Sequence, residues 1–250
     1  MSILPVSRRQ VVLRPLAGED DMWLAENGTG HAAGVALLAR LASCEGDEAI
    51  DIAALPVTDV QVLMLDLHRR HHGPDISASL ACRHCAAAIA VSFGIQAYID
   101  HHGPRPARGA EPEEGGWWRL GGTNFRYRLP TAADLLAAEN APQPELLLRR
   151  RCFAEPDAPI ALRKRAERLM ARQAPNLSQV IDAACPDCGL TTAFHLDIES
   201  YVMAVLRGDA VFVYGDMHLL ALHYHWPEAV VLAMPRARRV RYAEMLRGAA

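Results

Sequence analysis

The feature that most constrains this chain is a pair of Cys-x-x-Cys steps placed 103 residues apart, Cys82-Arg83-His84-Cys85 and Cys185-Pro186-Asp187-Cys188. Two residues between cysteines let the backbone turn tightly and aim both sulfurs at one ion. Two such knuckles complete a closed tetrahedral four-sulfur shell for zinc. Ile76, Ala78, Leu80 and Cys82 alternate before the first knuckle, and Ile89, Val91 and Phe93 after it; Phe194, Leu196 and Ile198 alternate after the second. Period-two patterning on both sides predicts a strand, a knuckle turn and a returning strand. Cys82, Cys85, Cys185 and Cys188 are therefore the expected ligands of one structural Zn2+ in a zinc-ribbon-like site.

Two other readings of the thiols stay open. A redox Cys-x-x-Cys opens a helix whose N-terminus lowers the thiol pKa, and here the following segment reads as a strand. Free thiols are the other. A disulfide framework would suit an exported chain, but Met-Ser-Ile-Leu-Pro-Val-Ser-Arg-Arg lacks the apolar core of a secretory signal. Cys44 and Cys152, near the ends of Leu/Arg-rich helical stretches, are expected as small buried apolar residues.

Sliding the first knuckle onto the second also aligns Ala90 with Ala193, Ile95 with Ile198 and Tyr98 with Tyr201. Upstream, Pro74-Asp75-Ile76-Ser77 faces Pro175-Asn176-Leu177-Ser178, and Arg14-Pro15-Leu16 echoes Arg128-Leu129-Pro130. The expected fold is α+β and internally duplicated: two helix-plus-β-hairpin lobes, 1–103 and 117–208, joined at the four-cysteine site. Residues 104–116 read as a linker, since 103–116 hold four Gly, three Pro and three Glu. Thr58 and Thr131 are expected helix caps. Residues 209–250 have no counterpart in the first half and read as a helical appendix that the core does not need. Its Met217, Tyr224, Trp226 and Met234 belong to residue types enriched in protein interfaces, which makes them the candidate partner-binding residues.

Composition bounds the rest. Of the 250 residues 51% are hydrophobic, yet no apolar run approaches the roughly 20 residues of a membrane span. The net charge of −3 gives no field that would draw the chain to nucleic acid or an anionic membrane. The arginine clusters at 149–151, 163–168 and 236–241 read as solvated helix faces without the interleaved aromatics that stack bases. The histidines form no metal-protease pattern, and no nucleophile elbow or paired carboxylates stand out. A small-molecule substrate is not expected.

The segments Leu13-Arg14-Pro15-Leu16-Ala17-Gly18-Glu19-Asp20, Arg128-Leu129-Pro130-Thr131-Ala132-Ala133-Asp134-Leu135 and Asp216-Met217-His218-Leu219-Leu220-Ala221-Leu222-His223-Tyr224-His225-Trp226-Pro227-Glu228-Ala229, together with the knuckles, resemble the T-even-type phage baseplate hub assembly chaperone family, whose relatives occur in phage-like contractile injection systems. The resemblance spans most of the chain, and the last segment is its most specific part. It implies a non-enzymatic chaperone or adaptor whose partners are hub or spike proteins of a contractile tail, located in the cytoplasm of the producing bacterium or on the particle. A zinc-ribbon nucleic-acid-binding or regulatory protein is the alternative.

Overall fold

The computed structural model describes residues 2–44 and 48–248. In chain order the elements are β1 (Ser2–Ile3), β2 (Gln10–Leu13), α1 (Gly18–Glu26), α2 (His31–Leu41), β3 (Ala42–Cys44), α3 (Val57–His72), β4 (Asp75–Ala81), β5 (Ala88–Gly94), α4 (Ile95–His102), β6 (Ala110–Pro112), β7 (Trp117–Leu120), β8 (Arg126–Arg128), α5 (Ala132–Glu139), α6 (Pro144–Cys152), α7 (Ile160–Gln173), β9 (Gln179–Ala184), β10 (Thr191–Leu196), α8 (Ile198–Ala210), α9 (Val213–Tyr224), α10 (Glu228–Leu232) and α11 (Arg236–Arg247). The fold is mixed helix and sheet with small antiparallel sheets, as the sequence predicts.

Contacts group the chain into two compact units, Ser2–Gln10 with Asp51–Ile198, and Val11–Ile50 with Glu199–Ala250. These boundaries are not those expected at 103, 117 and 208, and both knuckles fall inside one unit.

In the knuckle-bearing unit α3 is the central helix. Val60, Leu63, Met64, Leu65 and Leu67 are fully buried, and Thr58, Asp59, Gln61, Asp66 and His68 are buried with them, so the helix is enclosed on most of its circumference. At about 1.5–3 kcal/mol per buried aliphatic side chain it is a principal source of the unit's stability. Its last turn carries Arg69, Arg70, His71 and His72, which suit the negative end of the helix dipole. Thr58 is not its cap: the helix opens at Pro56, and the Thr58 hydroxyl instead donates to the carbonyl of Pro175 at 2.7 Å. Thr131 does sit at the cap of α5, where its amide and hydroxyl both donate to Asp134, at 2.9 and 3.1 Å.

The expected linker is not free. Residues Ala110–Pro112 form β6, which pairs with β7 through Ala110↔Leu120 and Pro112↔Trp118, while Arg119 holds Glu111 at 2.6 Å. Pro112 misled the sequence reading because proline is excluded from central strands but tolerated on an edge, and β6 is the edge of the sheet β6–β7–β8. Under this sheet Leu120, Phe125, Tyr127, Phe153 and Ala166 make a second core.

The other unit is mostly helical. Here β2 pairs with β3, and α9, α10 and α11 pack on α1. Residues 209–250 are therefore not an appendix. Asp21 of α1 is fully buried and takes Arg236 and Arg239 of α11, and Arg239 also holds Asp216 of α9 at 3.0 Å. The helical periodicity gave the elements correctly, but those charged residues looked solvent-facing because their partners lie about two hundred residues away in the chain.

The units share a local device. In one, the cap residues Ala17 of α1 and Pro235 of α11 form an antiparallel bridge, with Gly18 N–H donating to Met234 O at 3.1 Å and Arg236 N–H to Leu16 O at 2.7 Å. In the other, Pro56 of α3 and Thr131 of α5 do the same, with Ala132 N–H on Leu55 O at 3.0 Å. Orphan amides at helix starts are satisfied by each other's lead-in segment. The echo between Arg14 and Arg128 also has a structural meaning. Arg14 grips Asp20 with both terminal nitrogens, at 2.6 and 2.9 Å, and Arg128 grips Asp134 at 2.7 and 2.8 Å, each carboxylate lying in the first turn of the helix that follows.

Candidate metal centre

The two hairpins are built alike. The β4–β5 ladder ends at Ala81↔Ala88 and the β9–β10 ladder at Ala184↔Thr191, so each leaves a six-residue turn, 82–87 and 185–190, with its cysteines at the first and fourth places. In the first turn Cys82 N–H donates to Ala87 O at 2.8 Å and Ala86 N–H to Cys82 O at 2.9 Å. In the second, Cys185 N–H donates to Leu190 O at 3.0 Å and Gly189 N–H to Cys185 O at 3.0 Å. The residue after the second cysteine is left-handed in both, Ala86 at φ 62° and Gly189 at φ 71°. That conformation turns the chain back toward the returning strand, with the amide of the same residue on the first cysteine's carbonyl.

A side-chain lock holds the second hairpin against α3. Gln61, only 2% exposed, accepts from Leu177 N–H at 2.7 Å and donates to Asn176 Oδ1 at 2.6 Å. The Tyr98 hydroxyl from α4 donates to Leu177 O at 2.6 Å. Cys82, Ile89 and Cys185 are buried together, with Val91 and Ala183 packed beside them.

The four sulfurs all lie within 4.8 Å of one another, and are the one such ligand group among the described residues. Cys82 and Cys188 are 3.7 Å apart at sulfur, and Cys85 and Cys185 3.6 Å. A tetrahedral shell with metal–sulfur bonds of about 2.3 Å has edges of about 3.8 Å, so the cluster is compatible with a single metal ion. The separations are far above the roughly 2.05 Å of a disulfide, and all six cysteines are free thiols. The first cysteine of each knuckle is buried and the second is exposed.

The electrostatics are those of thiols crowded without a counter-charge. The His84 amide, at 3.4 Å, and the Thr192 hydroxyl, at 3.6 Å, stabilise a thiolate on Cys82 and bring its pKa down to about 6. The Ala87 amide pulls Cys85 the same way, but the neighbouring thiols, with the partial desolvation of the crowded sulfurs, outweigh it and push Cys85 up to about 12. Cys188 is also raised; the Leu190 amide and Cys85 lower it, and partial desolvation together with Cys185 and Cys82 outweighs them. Ionising all four sulfurs calls for a cation at the centre.

Sequence reasoning reached the four cysteines and the strands around them. It missed Gln61 and Thr192, which carry no motif. It also missed the left-handed residue after each knuckle, a signal visible as Gly189 but disguised as Ala86. Cys152 is buried at the end of α6, where burial pushes its thiol up to about 11, and Cys44 lies half-buried in β3.

The structure distributes the candidate partner residues unevenly. Met234 is 8% exposed and packs inside its unit, and Met217 is half-buried. Trp226 stacks on Tyr224 at 4.8 Å between ring centres and meets Tyr242 edge-on at 5.2 Å, so it is an internal packing residue in part. Exposed apolar side chains of the same region are instead Phe212, Tyr214, Leu222, Val230 and Met245, with Tyr224 at the margin.

No protein-family model, curated protein or solved structure matches the chain. No helix among the described residues is long and apolar enough to cross a membrane.

Proposed function

We propose that the chain is a zinc-stapled, non-enzymatic adaptor that assists assembly of the baseplate hub of a contractile tail or phage-like injection system. The observation that carries the metal part is the four-sulfur cluster, two of whose edges, at 3.6 and 3.7 Å, are close to those of a zinc–thiolate tetrahedron. Zinc bound there by Cys82, Cys85, Cys185 and Cys188 has no position left for water or substrate, so its role is to hold two hairpins together rather than to activate a reactant. The adaptor reading is supported by the resemblance of the segments at Leu13, Arg128 and Asp216. In these segments Asp20, Asp134 and Asp216 are each engaged in an internal ion pair, which leaves the apolar residues around α9 and α10 for a partner. Phe212, Tyr214, Leu222 and Val230 are then the contact residues, in place of the packed Met234 and Trp226.

The experiment is reconstitution with purified hub and spike proteins of a contractile tail encoded beside this chain. Co-elution in size-exclusion chromatography that Leu222→Glu and Phe212→Glu abolish, with zinc retained, is the expected result. Failure to associate with any of them, together with tight binding to duplex DNA, would favour a zinc-ribbon regulator instead.

A further inference from the structure

Two hollows in the knuckle-bearing unit meet along the segment 104–108. One, of about 290 Å3, has apolar walls from Pro5, Pro104, Trp118 and Leu129 and carries Arg8 and Arg105. The other, of about 530 Å3, is lined by Pro106, Leu169, Arg108 and Arg172. Pro106 belongs to both, so it forms the ridge between them.

The ridge is fixed. Arg105 N–H donates to Arg172 O at 2.8 Å, and the Arg172 guanidinium reaches back to Pro106 O at 3.4 Å. The Arg105 guanidinium uses one nitrogen on His101 O at 2.9 Å, leaving the rest of its fork open. Gln173 borders the first hollow and spends its carbonyl oxygen on the Tyr127 hydroxyl at 2.8 Å, which leaves its NH2 group as a further donor.

The charge is one-sided. No carboxylate lines either hollow, and among the described residues none of the four arginines has an ion-pair partner. Arg14, Arg128 and Arg239 elsewhere each hold an aspartate. In a chain of net charge −3, four unpaired guanidinium groups around two connected, acid-free hollows are a segregated anion-binding surface. The three prolines have no N–H to offer, so the polar recognition here is by side-chain forks, which suit carboxylates in a two-point geometry. The remaining walls are aliphatic, with Trp118 as the one aromatic face. Successive nucleotide bases call for several aromatic platforms, and a peptide does not.

We propose that this double groove binds an extended acidic peptide segment, its carboxylates on Arg8, Arg105, Arg108 and Arg172 and one apolar side chain against Trp118 and Leu129. The combined space lies in the range of ordinary ligand sites, and recognition of acidic motifs by arginine clusters is an established mode. The inference does not depend on the baseplate reading.

The test is fluorescence anisotropy with a labelled oligoglutamate hexapeptide carrying one phenylalanine, beside its glutamine counterpart and a labelled oligothymidine. The glutamate peptide binds, weakens as salt rises, and loses at least about tenfold in affinity in the double variant Arg8→Gln/Arg108→Gln, an amount equal to one charge-assisted contact. Neither guanidinium makes a hydrogen bond within the described residues, and the Arg8 amide bond to Leu4 O at 3.1 Å is backbone and kept by glutamine, so zinc content and melting temperature stay unchanged in that variant. The proposal is overturned if the glutamate peptide does not bind, if the glutamine peptide binds equally, or if the double variant binds as well as the original. It is also overturned if oligothymidine binds more tightly than the peptide and loses that binding in the double variant.

Discussion

Asp21 Oδ2 lies 2.6 Å from Arg239 Nη2, across 218 residues of chain, with both side chains at most 1% exposed. The pair is the centre of a buried network in which Arg236 also grips Asp21, and Asp216 takes Arg239 at 3.0 Å and Arg247 at 2.6 Å. It ties the last helix to the first. Removing one partner of such a pair strands a charge in low dielectric, at a cost of about 3–5 kcal/mol. Asp21→Ala and Arg239→Met should each lower the unfolding free energy by that amount, read as a lower urea midpoint at unchanged m-value. Truncation after Val211 should give an insoluble or protease-labile product. A soluble truncated protein with an unchanged proteolysis pattern at α1 would contradict this.

Gly18 gives an independent check on the same packing. A Cβ built there would stand 2.7 Å from the backbone Cα of Leu232. Backbone cannot swing aside as a side-chain tip can. Gly18→Ala should therefore destabilise by about 1–3 kcal/mol, the usual cost of overpacking, and thermal unfolding measures it.

Asp134 makes a pH prediction. Burial pushes its carboxyl up, but hydrogen bonds from Arg128, the Thr131 amide and Arg151 outweigh this and bring it from 3.8 down to about 2. Between those values the unfolded chain binds the proton and the folded chain does not. The resulting stabilisation, about 2 kcal/mol, is full above pH 4 and disappears as pH falls through 2. Asp134→Asn should thus be less stable than the original at neutral pH, with the gap closing across that window in acid denaturation curves. A gap that persists at pH 2 would show that the side chain acts through packing alone.

Ala86 and Gly189 occupy matching left-handed positions in the two knuckles. An L side chain there costs about 1 kcal/mol, and glycine does not incur it. Ala86→Gly should stabilise the chain by up to about 1 kcal/mol and Gly189→Ala should destabilise it similarly. Chemical denaturation of the pair, with metal content held constant, reads both signs; equal signs would mean the knuckles are not built alike.

What was legible in the sequence followed from local rules. Alternation around the cysteines gave both hairpins, and helical spacing gave α3 and the three final helices. Thr131 was readable as a cap because its carboxylate partner, Asp134, is three residues on. What stayed hidden depended on distant partners or on tolerance at edges. Asp21 and Arg239 looked solvated because their pairing is set only by the fold. Thr58 looked like a cap because its acceptor, Pro175, lies 117 residues away. The segment 104–116 looked like a linker because an edge strand tolerates proline. The domain boundaries differ from the expected ones because one unit joins Val11–Ile50 to Glu199–Ala250, with the other unit's residues between them in the chain.

The central claim is that one ion joins the two knuckles. Elemental analysis of freshly prepared, reduced protein tests it most directly. The account predicts about one zinc per chain, lost alike in Cys85→Ser and in Cys188→Ser, with similar falls in melting temperature because ligation is coupled to folding. Two zinc ions per chain, no metal at all, or loss of metal from one variant and full retention in the other would contradict a shared four-sulfur site.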